Sequence, residues 1–211
     1  MTQNLLIVFV KNIILGKVKT RLAKTIGDEG AFRIYSELVG ITERETQQVN
    51  ASRNIYFSDV IIASKWENDT KFTQEGVDLG ERMKNAFLNG FEQGYQNIIV
   101  IGSDLPNISK EVIDAGFEQL KNNDIVFGPA DDGGYYLLGM SQMNSSVFEG
   151  KPWSQSDLLE VTLEEISEQG KSVALLEKMN DIDTFEDLVN SDFYQTNAVA
   201  QEIVADLKST T

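Results

Sequence analysis

Two groups of carboxylates stand where apolar stretches of this sequence end, and carboxylates placed in this way are suited to holding a hard cation. Asp104 follows the apolar run 98–101 and precedes Leu105-Pro106. Asp181 and Asp183 follow a second apolar stretch near the C-terminal end of the chain. Carboxylate oxygens bind Mg²⁺, which in turn holds phosphate oxygens. Position alone leaves two roles open for Asp104, which either binds a metal ion or only caps a turn.

A basic cluster near the N-terminus has the complementary chemistry. No acidic residue precedes Asp28, although the whole chain carries a net charge of −15. The cluster consists of Lys11, Lys17, Lys19, Arg21 and Lys24. A local basic cluster on an acidic protein suggests a small anionic ligand, and a strand-to-helix turn offers backbone N–H groups that bind phosphate readily. A solvated basic loop is the alternative interpretation.

A third polar stretch, Asp131-Asp132-Gly133-Gly134, contains two carboxylates beside two glycines. Adjacent glycines let a ligand approach the backbone closely. Asp-Gly is also favoured at hairpin tips, so a surface hairpin is the alternative. Two carboxylates would repel donor phosphates unless a metal intervened. We therefore predict that Asp131 and Asp132 are catalytic residues that serve the acceptor, by accepting its hydrogen bonds or taking its proton.

Composition narrows the class of protein. The chain has 211 residues, 41% of them hydrophobic, and contains no cysteine and no histidine. Disulfides, thiolate metal sites and histidine bases are therefore excluded. The strong negative charge argues against nucleic acid as a partner. No apolar run is long enough to span a bilayer, and the N-terminus does not resemble a signal peptide, so we expect a cytoplasmic protein.

Alternating strands and helices must position these loops. Strands are predicted at 5–10, 55–57, 98–101, 124–127, 135–140 and 172–176, and helices at 29–49, 78–91, 109–120, 156–169, from Thr184 to Leu188, and 193–207. This alternation indicates a single α/β domain over residues 1–211, with a mostly parallel sheet flanked by helices. In such sheets, ligands gather beyond the carboxyl ends of the strands. The run 98–101 is apolar throughout and should be the central, buried strand.

Six motifs occur in an order that resembles a known bacterial family. They are Phe9-x-Lys11, Gly16-Lys17-Val18-Lys19-Thr20-Arg21-Leu22, Asp78-Leu79-Gly80-Glu81-Arg82-Met83, Gly102-Ser103-Asp104-Leu105-Pro106, Gly128-Pro129-Ala130-Asp131-Asp132-Gly133-Gly134-Tyr135-Tyr136-Leu137-Leu138-Gly139 and Trp153-Ser154. The chain is similar over about residues 5–190 to glycosyltransferase-A-like (MobA-like) proteins of the nucleotide-diphospho-sugar transferase superfamily. This group includes glycosyltransferases of arsenosugar biosynthesis.

The resemblance implies a Rossmann-like mixed sheet with one reversed strand. It also implies that Asp104 and Asp183 hold a divalent metal, Mg²⁺ or Mn²⁺, and that the N-terminal loop holds the phosphates of a nucleotide donor. The residues expected at the nucleotide are Lys11, Gly16, Lys19, Thr20, Arg21, Asp78, Gly80 and Ser103. One departure stands out, because Asn12-Ile13-Ile14-Leu15 occupies a place where a small residue and prolines are usual.

The residues expected to contact a small acceptor are Gly133, Gly134, Tyr135 and Trp153. Two of the site residues have an equally simple structural role. Asp78 has the spacing to Glu81 of a helix cap, and Trp153 could pack in the core or in a lid. Whether Asp181 shares the metal site is left open.

The leading hypothesis is a metal-dependent transferase with a nucleotide donor, most simply glycosyl transfer from a nucleotide-sugar to a small acceptor. Nucleotidyl transfer from a nucleoside triphosphate is the alternative within the same site, and a non-catalytic nucleotide-sensing module is a third possibility. A phosphoacceptor regulatory domain also ends a strand with Asp and Pro. That class expects about half this length and an acidic pair after the first strand, where this chain has Lys11-Asn12.

Overall fold

A mixed seven-stranded sheet forms the centre of the molecule. The structure is a computed structural model that describes residues 3–210 and the side chains of residues 3–207. The strands are β1 (Asn4–Val10), β2 (Ser52–Phe57), β3 (Thr70–Thr73), β4 (Asn97–Ile101), β5 (Ile125–Pro129), β6 (Tyr135–Met140) and β7 (Val173–Leu175). Their order across the sheet is β3-β2-β1-β4-β6-β5-β7. The predicted α/β fold with a mostly parallel sheet is confirmed.

Helices cover both faces of the sheet. They are α1 (Thr20–Thr46), α2 (Leu79–Glu92), α3 (Lys110–Gln119), α4 (Leu158–Glu168), α5 (Phe185–Asn190), α6 (Asp192–Thr196) and α7 (Ala198–Thr210), with a 3₁₀ turn at Ser145–Val147. Buried residues of α1 and α3 pack on one face, and those of α2 and α4 pack on the other. The C-terminal helices pack against α1 in a third apolar cluster. None of the helices in the described part of the chain is long and apolar enough to cross a membrane.

Strand β4 is the middle strand of the seven, as its apolar sequence predicts. Ile99 and Ile101 face the layer of α1 and α3, while Ile98 and Val100 face the layer of α2 and α4. All four side chains are almost completely buried. The strand that pairs with β4 on its other side, β6, runs antiparallel to both β4 and β5. The reversed strand that the family resemblance implies is thus confirmed.

This topology brings four loops to one edge of the sheet. Strands β1, β4, β5 and β7 run in the same direction, because β6 is antiparallel to both of its neighbours and β7 is parallel to β5. The segments after these four strands begin at residues 11, 102, 130 and 176. They carry the basic cluster, Asp104, the Asp131-Asp132 turn, and the Asp181-to-Asp183 segment, respectively.

Several predicted boundaries were wrong, including the start of β2 at Ser52 rather than at Ile55, and three of the differences change the description of an element. Helix α1 begins at Thr20 rather than near Glu29, with a break at Gly27 (φ 74°, ψ 165°), so Thr20 and Arg21 belong to a helical turn and not to a loop. The predicted helix 193–207 is two helices, because Asn197 is extended and caps α7 by accepting a hydrogen bond from the Ala200 amide. Strand β5 also continues through Gly128-Pro129 instead of ending at Phe127.

Candidate functional site

Lys19 is the centre of the charged groups at the carboxyl edge of the sheet. Its ammonium nitrogen lies 2.9 Å from Asp104 Oδ2, 3.5 Å from Asp181 Oδ2 and 3.7 Å from Asp183 Oδ1. The Lys19 side chain is 5% exposed, whereas the three carboxylates are each about one-third exposed. One buried cation is therefore surrounded by three carboxylates that remain open to solvent on their outer side. We call these four residues the Lys19 cluster.

The environment of the cluster shifts the protonation equilibria of its members. Burial disfavours the charged form of Lys19, but Asp104, Asp181 and Asp183 outweigh that effect, and the pKa of Lys19 is raised. Burial also raises the pKa of Asp181 to about 6, against the opposing effect of Lys19, and the charges of Asp104 and Asp183 add to the increase. Three carboxylates surround one ammonium group, so negative charge exceeds positive charge within the cluster. The cluster can therefore accommodate a further cation.

Lys19 reaches this position from an unusual backbone conformation. It has φ 45° and ψ 48°, in the left-handed region, immediately before the first residue of α1. A non-glycine residue held there is uncommon, and such residues concentrate at functional sites. The first turn of α1 contains no acidic residue, and Lys19 makes no side-chain cap. The left-handed backbone at Lys19 therefore points its side chain towards the carboxylates of the cluster, and that side chain does not cap α1.

Arg21 joins the cluster through Asp183. Its Nη1 donates to Asp183 Oδ2 at 2.7 Å, and its side chain is 66% exposed. Asp183 is fixed by the start of α5, where Thr184 and Asp187 form a capping box and the Asp183 amide donates to Asp187. Of the three basic residues predicted at the nucleotide, Lys19 and Arg21 are thus paired with the carboxylates predicted to bind metal, and Lys11 is not part of these pairs.

The residues present suit a divalent cation in their chemistry. Oxygen donors of this kind are what Mg²⁺ and Mn²⁺ prefer, and the three carboxylates already converge on a cation, the Lys19 ammonium. In their present spacing, no three acidic side chains of the described residues form a ready-made metal site. A metal ion would be held by Asp104 and Asp183, with Asp181 beside them, once Lys19 gives up its contacts.

The loop after β1 is fixed by Asn12 rather than by prolines. The Asn12 side chain is buried, its Oδ1 accepts from the Asp59 amide at 2.7 Å, and its Nδ2 donates to the Val60 carbonyl at 2.6 Å. These bonds tie the loop after β1 to the loop after β2. Lys11 and Thr20 are exposed, and Gly16 (φ 75°) adopts a left-handed conformation in the turn that follows.

Ser103 occupies a buried network instead of an open site. Its hydroxyl lies 2.9 Å from the Tyr35 hydroxyl, which donates to the Lys11 carbonyl at 2.9 Å. Ser103 is 3% exposed. The network connects the end of β4 to helix α1 and to the end of β1. Ser103 therefore helps to hold the two loops that carry Asp104 and Lys19, and its predicted contact with a nucleotide stays a prediction.

The two carboxylates of the β5–β6 turn have different surroundings. Asp131 forms an ion pair with Lys178 at 2.9 Å, with both side chains more than half exposed. Asp132 Oδ1 accepts a hydrogen bond from the Gly134 amide at 2.9 Å and lines a cavity that Asp104 and Asp181 also line. The structure therefore brings Asp132 towards the Lys19 cluster, whereas Asp131 is engaged with Lys178.

Gly133 is required by close packing. It has φ 88°, and a Cβ atom there would lie 1.8 Å from the Ser156 carbonyl oxygen. Its own carbonyl accepts from the Leu159 amide at 3.0 Å. The turn therefore rests on the start of α4. Gly134 follows it and donates to Asp132, as described above.

Trp153 and Gly80 form a second close contact. A Cβ atom on Gly80 would lie 2.5 Å from the Trp153 ring, so the ring lies directly against the first turn of α2. Asp78 caps that helix by accepting from the Glu81 amide at 2.8 Å. Asp78 thus has the capping role that its spacing allowed. A further role of Asp78 or Gly80 in nucleotide binding stays a prediction.

A cavity of about 270 Å³ extends from the Lys19 cluster between α2, β4, β6 and the start of α4. Its walls are mainly apolar and include Phe9, Met83, Tyr135, Leu138, Trp153 and Leu158, while Asp104, Asp132 and Asp181 line its polar end. Tyr135 and Trp153, both predicted to contact the acceptor, line this cavity together. The other apolar residues were not identified from the sequence, because each also fits the pattern of a core residue.

Comparison with known proteins places the chain in a family. The sequence model of the family described as "Uncharacterized protein conserved in bacteria (DUF2064)" matches residues 46–155, slightly more than half of the chain. The chain belongs to this family. The matched part of this DUF2064 protein includes Asp104, the Asp131-Asp132 turn and Trp153. A comparison with curated proteins finds no match.

Solved structures extend the similarity to the whole chain. A provisionally named nucleotide-diphospho-sugar transferase from Desulfovibrio desulfuricans G20 is 30% identical, with a TM-score of 0.87 over 99% of this chain and 98% of that one. A 4-diphosphocytidyl-2C-methyl-D-erythritol synthase from Anaerococcus prevotii is 11% identical (TM-score 0.61, 92% and 97%). A cytidylyltransferase from Leptospira borgpetersenii is 14% identical (TM-score 0.56, 100% and 95%).

The three structures differ in what they show about this chain. The cytidylyltransferase and the synthase, at 14% and 11% identity, show only that the fold is shared. The Desulfovibrio protein matches along the full chain, and the predicted resemblance to the nucleotide-diphospho-sugar transferase superfamily is confirmed. The similarity supports an enzyme of the glycosyl- or nucleotidyltransferase kind.

Proposed function

We propose that this protein is a metal-dependent transferase that moves a glycosyl group from a nucleotide-sugar to a small acceptor. The observation that supports it most is the pairing of Lys19 and Arg21 with Asp104, Asp181 and Asp183 at the carboxyl edge of the sheet. Cations for phosphate and carboxylates for a metal ion then occupy one site. The name of the Desulfovibrio relative, a nucleotide-diphospho-sugar transferase, points the same way.

In this proposal Lys19 and Arg21 exchange partners when the donor binds. Without a ligand they neutralise the carboxylates of the cluster. With the donor present they turn to its phosphate oxygens, because hydrogen bonds between a charged donor and a phosphate are strong. Asp104 and Asp183 are then free to hold a divalent cation, which would neutralise charge on the leaving diphosphate. Lys19 and Arg21 stabilise the same charge from the protein side.

Asp132 is the residue that receives the proton of the acceptor in this proposal. The bond between the anomeric carbon and the diphosphate oxygen breaks, and its electron pair leaves with the diphosphate. The acceptor's hydroxyl oxygen forms the new bond to that carbon, and its proton passes to a carboxylate. Asp132 lines the cavity beside the cluster, whereas Asp131 is paired with Lys178. We therefore assign proton transfer to Asp132 in preference to Asp131.

Nucleotidyl transfer is the second candidate, because two fold relatives are named for the transfer or addition of a cytidylyl group. In that reaction an acceptor oxygen forms a bond to the α-phosphorus of a nucleoside triphosphate and gives up its proton to a carboxylate, while the bond between the α- and β-phosphates breaks and diphosphate leaves. The same basic residues and carboxylates would serve it. The two reactions differ in their products, so product analysis separates them.

The test is a panel of nucleotide-sugars and nucleoside triphosphates incubated with Mn²⁺ and mixed small alcohols. Glycosyl transfer releases a nucleoside diphosphate from a nucleotide-sugar, whereas nucleotidyl transfer releases diphosphate from a triphosphate. We expect the first product, and we expect its loss in the Asp104→Asn variant. Release of diphosphate would favour the second candidate. Binding of donors without either product would indicate a nucleotide-sensing module.

A further inference from the structure

Tyr136 occupies an irregular position in β6. Gly128 of β5 pairs with Leu137 and Pro129 pairs with Tyr135, so Tyr136 is an extra residue between these two pairs. An extra residue of this kind is a β-bulge, which can redirect a side chain and is frequent next to functional sites. Tyr136 and Leu137 both pack in the layer of α1 and α3, although successive residues of a regular strand face opposite sides of the sheet. The bulge therefore turns the Tyr136 ring onto the face that Leu137 occupies.

The redirected ring crosses β5 at Gly128. A Cβ atom on Gly128 would lie 2.4 Å from the Tyr136 ring, a distance that no side chain could keep. Gly128 is not in a left-handed conformation, so the contact with the ring, and not the backbone, requires glycine there. Beyond Gly128, the Tyr136 hydroxyl donates a hydrogen bond to the Glu177 carbonyl at 2.9 Å. The side chain thus connects β6 to the segment that follows β7, on the far side of β5.

The segment that Tyr136 reaches, residues 176–183, carries two of the three carboxylates of the Lys19 cluster. Leu176 and Met179 donate their amides to carbonyls of β5 at 2.8 and 3.1 Å, and the Tyr136 hydroxyl bonds the carbonyl of Glu177 between them. Leu176 and Met179 also pack in the same apolar layer as Tyr136. The bulged tyrosine is therefore bonded to, and packed beside, the stretch of chain that leads to these carboxylates.

A second side chain of the β5–β6 hairpin also reaches this segment. Asp131 pairs with Lys178, and both side chains are more than half exposed. Exposed ion pairs contribute little to stability. Burial raises the pKa of the Tyr136 hydroxyl to about 12, so the hydroxyl stays protonated and continues to donate. We therefore expect the bond from Tyr136 to hold the segment more firmly than the ion pair does.

We propose that Tyr136 is a positioning residue for the carboxylates of the Lys19 cluster. Its hydrogen bond to Glu177 holds the 176–183 segment so that the two carboxylates of the segment converge on Lys19. The consequence for a bound metal ion rests on the proposed function, whereas the position of the segment does not. The Tyr136 hydroxyl is already bonded to Glu177, so the residue acts through this segment and not on the reacting atoms.

Amide hydrogen exchange in the ligand-free protein tests the position of the segment. The Tyr136→Phe variant keeps the ring against Gly128 and in the wall of the cavity, and it loses only the hydrogen bond. We expect the amides of the 176–183 segment to exchange about three- to tenfold faster, the effect of one neutral hydrogen bond on local opening. Equal exchange of the segment in the variant and in the wild type would overturn the proposal.

Tyr56→Phe is the matched control. Tyr56 lies on β2, and its hydroxyl accepts a hydrogen bond from Asn89 Nδ2 at 2.8 Å. The variant loses one neutral hydrogen bond, as Tyr136→Phe does, and should lower the melting temperature to a similar extent. It should leave exchange in the 176–183 segment unchanged. If both variants accelerate that exchange equally, the effect is a general loss of stability and the proposal fails.

Calorimetric titration with Mn²⁺ in the presence of inorganic diphosphate tests the consequence for the metal ion. Tyr136→Phe should weaken Mn²⁺ binding about three- to tenfold, and Tyr56→Phe should leave it unchanged. Gly128→Ala forces the ring away from β5 and should weaken Mn²⁺ binding further. If Gly128→Ala does not fold, Tyr136→Phe alone decides the question. Unchanged Mn²⁺ affinity in Tyr136→Phe would contradict the positioning role.

Failure of the proposed function is distinguishable from failure of this inference. If the wild type binds neither Mn²⁺ nor diphosphate, the proposed function is wrong. The exchange experiment needs no ligand and still decides whether Tyr136 holds the segment. Faster exchange in Tyr136→Phe alone would then support the positioning role, and unchanged exchange would remove it.

Discussion

The ammonium nitrogen of Lys19 lies 2.9 Å from a carboxylate oxygen of Asp104, a residue 85 positions further along the chain. This contact joins the start of α1 to the end of the central strand, and Asp181 and Asp183 complete it. Lys19, which is predicted to bind phosphate, thus occupies the position in which these carboxylates are predicted to hold a metal ion. The stability of the protein and its binding of ligands should therefore depend on the same residues.

Replacement of Lys19 by Met should destabilise the protein and make it responsive to divalent cations. Loss of a buried cation leaves carboxylates uncompensated, and because these are partly exposed we expect a cost of about 2–3 kcal/mol, below the usual range for a buried pair. Mn²⁺ alone should then raise the melting temperature of the variant more than that of the wild type, since it binds only the folded state.

The control for this prediction is Lys178→Met, which breaks the exposed Asp131–Lys178 pair. It should change stability by less than about 1 kcal/mol and leave the response to Mn²⁺ unaltered. Denaturant titrations with and without Mn²⁺ provide the measurement. If Lys19→Met and Lys178→Met respond alike to Mn²⁺, the carboxylates around Lys19 do not form a cation site.

Replacement of Arg21 by Ala should weaken phosphate binding without a large effect on folding. Arg21 is 66% exposed, so its pair with Asp183 contributes little to stability, about 0–1 kcal/mol. A charge-assisted hydrogen bond to phosphate is larger, and its loss should cost about 1.5–3 kcal/mol of affinity. Calorimetric titration with a nucleoside diphosphate and with the matching nucleoside separates the two effects. Equal losses for both ligands would assign Arg21 a role in folding only.

The two carboxylates of the β5–β6 turn should differ in function. Asp132→Asn should slow transfer strongly, on the order of 10²-fold or more for a general base, because Asp132 lines the cavity. Asp131→Asn should have a small effect, since Asp131 is paired with an exposed lysine. Both variants should retain donor affinity, which is measured beside the transfer rate. Donor binding lost in both would place the turn in the metal site instead.

Much of the fold follows from local sequence. The apolar run of β4 predicts a strand buried on both faces, and Tyr135–Met140 is the strand that the sequence predicts, residue for residue. Thr184 predicts the start of α5, because its side chain and that of Asp187 form a capping box. In each of these cases the deciding contacts lie within a few residues, so the sequence signal is local.

The start of α1 could not be predicted in this way. Lys19 precedes the helix in a left-handed conformation, no acidic residue follows in the first turn, and Gly27 interrupts the helix after two turns. The capping side chain and the acidic first turn that usually mark a helix start are both missing. Asn197, in contrast, is of a type that commonly caps helices, and its side chain begins a second C-terminal helix where apolar periodicity alone predicts a single one.

The residue types of the site were predictable, but their pairing was not. Charge patterning identified Lys19 and Arg21 as functional candidates, whereas the position after apolar stretches and the family resemblance identified Asp104 and Asp183. Their contacts span between 85 and 164 positions in the sequence and depend on the order of strands β1, β4 and β7 in the sheet. Asp131 and Asp132 are adjacent in sequence, so only the geometry of the turn distinguishes them.

The most direct test of the central claim is the binding of Mn²⁺ and inorganic diphosphate, which requires no knowledge of the nucleotide base. The exchange of partners predicts that each ligand binds more tightly when the other is present, because both must separate Lys19 and Arg21 from the carboxylates. Calorimetric titration of diphosphate with and without Mn²⁺ measures this coupling, and the Asp104→Asn variant should lose it. Diphosphate that binds equally well without Mn²⁺, or equally well to Asp104→Asn, would contradict the account.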